Sequence, residues 1–162
     1  MALSPYEMEI LHNKGFIIDD CSLYRWEIYT FKRYDKFGKP VYNREAHVQI
    51  ETSEYDPNDF VDTGEYHQDY IKCTPIYSLQ DLLEKMPKTI VNDNIVYKMI
   101  IDFADSTLYY YSGETKSKLF ESKFDDKISS LIDVLFETLC CIIDTKIYTE
   151  EYYAKNFKYD FE

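Results

Sequence analysis

The chain has 162 residues, 45% of them hydrophobic and 17% aromatic, with 18 Lys and Arg against 30 Asp and Glu for a formal net charge of −12. This length fits one domain or two very small ones, and it can bury a core without disulfide staples. The apolar content excludes a disordered chain, and the negative field disfavours direct binding to nucleic acid or to anionic membrane surfaces.

The elements follow in chain order. Ser4, Pro5 and Glu7 predict a helix start: Ser4 caps, Pro5 takes the first helical position and Glu7 closes a capping box. Tyr6, Met8, Ile10 and Leu11 supply its apolar side, and Gly15 its terminator. Residues 16–18 read as a short strand. In 23–34, Trp26, Ile28 and Thr30 alternate with Arg25, Glu27, Tyr29 and Phe31. A turn with Gly38 and Pro40 follows, and 43–52 puts Ala46, Val48 and Ile50 on one face, which makes a hairpin. Turn formers crowd 56–64, and 66–73 reads as a returning third strand.

Pro75 marks a break. Ser78 and Asp81 open a second capped helix with a Leu79, Leu82, Leu83 and Met86 stripe, stopped by Pro87. A meander follows over 89–91, 95–103, 108–112 and 118–124. Ile95, Tyr97, Met99, Ile101 and Phe103 form its wholly apolar face, which points at the core. The strongest element is a helix over 126–143, where Ile128, Leu131, Ile132, Leu135, Leu139, Ile142 and Ile143 share one face. The tail from 147 holds one more short helix, its aromatics either docked on the body or exposed for a partner. The expected fold is therefore α+β: antiparallel meanders with a long amphipathic C-terminal helix packed on one face. It forms a single domain over 1–162, with sub-units at 1–74 and 75–162, and two similar helix-plus-three-strand halves remain an open alternative.

Most catalytic chemistry finds no support. The glycines at 15, 38, 64 and 113 are too scattered to cradle a phosphate, and no GxGxxG, GxxxxGK or GxSxG occurs. His12, His47 and His67 offer no zinc-protease pair. His67 and Cys73 would share a face of one strand, but two ligands do not make a site. The acids at 56–65 miss the register of a calcium loop. Cys140 and Cys141 are neighbours on a helix, about 100° apart, and read as two buried thiols. No cofactor, no metal and no enzymatic activity are expected. No basic leader and no membrane-spanning run is visible, which points to the cytoplasm of a bacterial host.

The distinctive feature is the distribution of charge. Residues 45–71 hold eight acids and no Lys or Arg, so they carry −8, while the remaining 22 acids and 18 bases leave −4. Glu51, Glu54, Tyr55, Asp56, Asp59, Asp62, Glu65, Tyr66, Asp69 and Tyr70 form the candidate binding face. Carboxylates there would pair with Arg and Lys of a protein with a basic surface, and the tyrosines would supply contact area. A solvated loop is the plainer alternative.

The stretches YSLQDLLEKMPKTI, YKMIIDF, LYYYSG and SLIDVLFETLCCII, within residues 77–145, resemble small proteins of phages and mobile elements of gut bacteria. The resemblance implies such an origin and carries no activity or site residue. The expected function is a non-enzymatic, acidic protein-binding protein, a nucleic-acid mimic directed at a host defence or DNA-binding protein. A virion-associated or oligomeric assembly protein is the alternative, and a small enzyme of unrecognised type the third reading.

Overall fold

The computed structural model describes residues 2–50, 62–64, 67–125 and 128–158. It is of the α+β class, with antiparallel sheets. The elements are α1 (Pro5–Asn13), β1 (Leu23–Tyr34), β2 (Pro40–Ile50), β3 (Asp62–Gly64), β4 (His67–Gln68), β5 (Tyr70–Ile76), α2 (Leu79–Lys85), β6 (Thr89–Asn92), β7 (Ile95–Asp102), β8 (Thr107–Ser112), β9 (Ser117–Lys123), α3 (Ile128–Thr145) and α4 (Glu150–Asn156). They fall into two compact units, Met1–Asp20 with Tyr77–Glu162, and Cys21–Ile76. The first helix thus groups with residues 77–162 and not with the strands that follow it.

In the unit Cys21–Ile76, β1 is the central strand of a three-stranded sheet ordered β2-β1-β5. β2 pairs along the whole of β1, from Leu23↔Ile50 to Tyr34↔Pro40, with a bulge at Lys32. β5 pairs only over Leu23↔Ile76 to Tyr29↔Tyr70. Pro75, expected to break the chain, instead lies inside β5 opposite Tyr24. It is tolerated because β5 is an edge strand, where a missing amide donor need not interrupt a ladder. Trp26 and Glu27 are both buried although they point to opposite faces. Ala46 and Val48, placed on one face by the alternation, are both exposed on the edge strand β2.

In the other unit, β6-β7-β8-β9 form an antiparallel meander. Ile90 pairs with Tyr97, Met99 with Tyr110, and Tyr110 with Leu119, so these residues line one face. Ile142 of α3 completes a cluster with Ile90, Tyr97 and Tyr110, flanked by Ile95, Met99, Leu119 and Phe120. Leu131, Ile132, Leu135, Leu139, Ile142 and Ile143 are all buried, as the helical spacing requires. Phe103 does not join this face; it is 71% exposed, because β7 ends at Asp102, whose carboxylate accepts the amides of Ala104 and Asp105 and turns the chain. Tyr6 is likewise turned outward at 71%, and Met8 and Leu11 alone of α1 are buried. Residues 16–18 form no strand of their own. Phe16 bridges to Phe157, and the Ile17 amide donates to the Asn156 carbonyl at 2.7 Å. The tail supplies the partner that the short segment lacks.

Both predicted capping boxes are present. Ser4 and Glu7 exchange bonds at the start of α1, and Ser78 and Asp81 do so at α2, with Ser78 Oγ accepting the Asp81 amide at 3.1 Å. Ser78→Ala is expected to cost about 1 kcal/mol in urea denaturation, and Ser78→Asp to restore most of it. A loss below roughly 0.3 kcal/mol would show that the cap is not holding α2. Among the described residues no helix is long and apolar enough to cross a membrane.

Candidate functional site

Most of the predicted acidic face, namely Glu51, Glu54, Tyr55, Asp56, Asp59, Glu65 and Tyr66, lies outside the described residues. Asp62 falls in β3, paired with Gln68, and Tyr70 opens β5. Asp69 is half-buried, and its Oδ1 accepts the Phe31 amide at 2.8 Å. It thereby satisfies the first β1 amide beyond the reach of β5. The two ends of the acidic stretch are thus fixed on one sheet, because β2 leads into it and β5 leads out.

Unanticipated in the sequence is a charge cluster on this sheet. Arg25, Glu27 and Tyr29 alternate onto one face of β1, and Arg44 stands opposite Tyr29 on β2. Glu27 Oε2 accepts the Tyr29 hydroxyl at 2.7 Å. Its Oε1 accepts Arg25 Nε at 3.1 Å and also pairs with Arg44. The Tyr29 hydrogen bond and then the two guanidiniums hold the Glu27 carboxyl at about 2, against burial that pulls it the other way. Only the alternation of 23–34 was visible beforehand, since Arg44 arrives from across the hairpin.

A second unanticipated feature is the free end of that hairpin. Lys32, Arg33, Lys36, Lys39 and Arg44 stand against Asp35 alone, so residues 32–44 carry +4 immediately before the −8 stretch. Averaging charge over the whole chain conceals this reversal; a window of a dozen residues reveals it.

Among the described residues, the unit built on residues 77–162 shows at least two clefts. One, of about 260 Å³, is walled by Lys85, Met86, Pro87, Tyr152 and Asn156. Lys85 pairs with Asp19 and lies 3.8 Å from Asp20. The Tyr152 hydroxyl donates to the Lys85 carbonyl, and Asn156 Nδ2 to the Tyr152 carbonyl at 3.0 Å. Burial pushes the Tyr152 hydroxyl far above the usual tyrosine range, so it stays protonated as a donor. These groups act on one another, which makes the cleft a structural seam.

A second cleft, of about 530 Å³, is bordered by Lys14, Lys146, Lys158, Tyr148, Tyr153 and Phe157. Its aromatic rings stack on one another, Tyr153 on Tyr148 at 5.6 Å and on Phe157 at 5.1 Å, and Lys14 is held by Asp144 at 2.7 Å. Of the tail aromatics, Phe157 is docked, buried edge-on against Phe16, while Tyr153 stacks within the tail and stays 39% exposed.

Cys140 is half-buried and Cys141 exposed, so the expectation of two buried thiols is corrected. The buried face of α3 runs through Leu139, Ile142 and Ile143, and position 141 falls on the opposite side. Burial pushes the Cys140 thiol up to about 11, away from thiolate reactivity. His67 and Cys73 stand on different strands, β4 and β5, so the shared-strand geometry does not arise. Among the described residues no three His, Cys, Asp or Glu are grouped to hold a metal ion, and no cysteine forms a disulfide. No protein family, no curated protein and no solved structure matches the chain.

Proposed function

We propose that the chain is a non-enzymatic binding protein of phage or mobile-element type. Its acidic stretch occupies a basic surface on a host defence or DNA-binding protein, in place of nucleic acid. The observation that supports this most is the anchoring of a −8, cation-free stretch at both ends in one antiparallel sheet. Fixed ends lower the entropy lost when carboxylates are ordered against Arg and Lys of a partner. The binding face comprises Glu51, Glu54, Tyr55, Asp56, Asp59, Asp62, Glu65, Tyr66, Asp69 and Tyr70, with Asp69 anchored through Phe31. The assembly reading has less support, because Tyr152 and Phe157 of the aromatic tail are engaged within their own unit.

Neutralising Asp56, Asp59, Asp62 and Glu65 together to Asn and Gln is expected to abolish capture of the partner. Raising salt should weaken wild-type capture in parallel, since exposed ion pairs are screened. Capture that survives both treatments would refute an electrostatic face. Asp→Asn and Glu→Gln keep side-chain size, so circular dichroism of the variant should match wild type.

A further inference from the structure

We infer that the tip of the β1–β2 hairpin, residues 32–42, is a contact element for single-stranded nucleic acid. It is independent of the acidic-face reading and uses none of those residues as ligands.

The tip projects. β5 stops pairing at Tyr29, and Asp69 takes the Phe31 amide; beyond that point the described hairpin is a ribbon of two strands. From Phe31 to Asp35 it extends roughly 13 Å. A bare two-stranded ribbon is marginal in water. This one is braced along its face by Tyr29 against Tyr42, Phe31 against Tyr42 and Phe31 against Tyr34, at 6.4, 6.2 and 5.1 Å.

The tip is also preorganised. Asp35 Oδ1 accepts the amides of Phe37 and Lys39 at 2.8 and 2.9 Å. The Asp35 amide donates to the Lys39 carbonyl at 2.8 Å, and Gly38 takes the left-handed conformation that closes the turn. The one acid of the tip thus serves the turn. Around it Lys32, Arg33, Lys36 and Lys39 are all exposed. Phe37 is 75% exposed at the apex and Tyr34 42%, with the Lys36 ammonium 5.1 Å from the centre of the Phe37 ring.

Nothing in turn chemistry requires an exposed phenylalanine; turns favour Gly, Asn, Asp, Ser and Pro. Cations on either side of the exposed Phe37 ring, Lys36 and Lys39, match a strand that alternates phosphates with stackable bases. An acidic peptide would use the cations and leave that ring idle. The whole-chain charge of −12 opposes an anion at long range, but a phosphate in contact with the turn responds most strongly to the four bases and one acid of residues 32–42, because Coulomb energy falls with distance.

The test is fluorescence anisotropy of a labelled oligo-dT 20-mer titrated with the full chain at low and moderate salt. Saturable binding is expected at low salt, weakening as salt rises. K36Q/K39Q should lower the slope of log affinity against log salt by roughly 1.4. F37A should weaken binding about tenfold. F37W should show indole quenching on addition of oligonucleotide, while Trp26, buried in the sheet, provides a constant background. All these side chains are exposed, and circular dichroism checks that the strands persist. The inference is overturned by any of three results: no anisotropy change at low salt; F37A equal to wild type, with polyglutamate competing as well as oligo-dT; or sedimentation showing that the tip instead binds a second copy, with self-association lost in K36Q/K39Q.

Discussion

Replacing Ile142 by alanine is expected to destabilise the unit Met1–Asp20 with Tyr77–Glu162 by roughly 2–5 kcal/mol. Ile142 is fully buried and is the α3 residue in the cluster with Ile90, Tyr97 and Tyr110, one from each of the first three strands of the meander. Truncation removes transfer energy and leaves a cavity that cannot easily collapse, because its walls are held. The Tyr110 hydroxyl is fixed by the Pro87 carbonyl at 2.7 Å. The Val91 amide donates to the Ile147 carbonyl at 2.9 Å, just beyond the end of α3. Ile142→Val removes one methyl group and should cost only about 0.5–1.5 kcal/mol. Urea denaturation followed by far-ultraviolet circular dichroism measures both. Trp26 belongs to the other unit, so its fluorescence reports separately on Cys21–Ile76. Equal losses for the two variants would show that the cavity term is absent and that α3 is not seated as described.

Glu27→Gln is expected to destabilise Cys21–Ile76 by roughly 1–3 kcal/mol at neutral pH. The substitution keeps the side-chain shape and removes the charge that holds Arg25 and Arg44 together. The pH dependence separates this from a packing effect. The Glu27 carboxyl lies at about 2 in the folded chain against a usual 4.5. A depressed folded value gives stability that is fully present above about 4.5 and lost as pH falls toward 2. The gap between wild type and Glu27→Gln, read from Trp26 fluorescence, should therefore be widest above pH 5 and shrink toward pH 2. A gap that stays constant over that range would mean that the carboxylate is not paired as described.

What could be read from the sequence was local. Ser4, Glu7, Ser78 and Asp81 cap their helices through contacts three residues apart, and the α3 stripe follows from helical period alone. The hairpin followed from alternation and a turn. What escaped depends on partners distant in the chain. Pro75 is admissible only because its strand lies at a sheet edge, and 16–18 is held by residues 156–158. Lys85 is buried because Asp19, 66 positions earlier, pairs with it. Cys141 points outward because position 141 falls opposite the buried α3 face of Leu139, Ile142 and Ile143. The basic ribbon was visible in composition, but its projection depends on where β5 stops. Of the candidate acidic face, Asp69 alone has a described side-chain contact, and that contact serves the sheet.

The proposed function turns on where a partner touches the chain. Zero-length carboxyl-to-amine cross-linking in lysate of a low-GC gut bacterium, with the joined peptides identified by mass spectrometry, reads this directly. Partner lysines should be joined to carboxylates at positions 51–69, and these products should vanish when Asp56, Asp59, Asp62 and Glu65 are neutralised. Cross-links concentrated on Glu150 and Glu151 of α4, or spread evenly over all 30 acids, would contradict it.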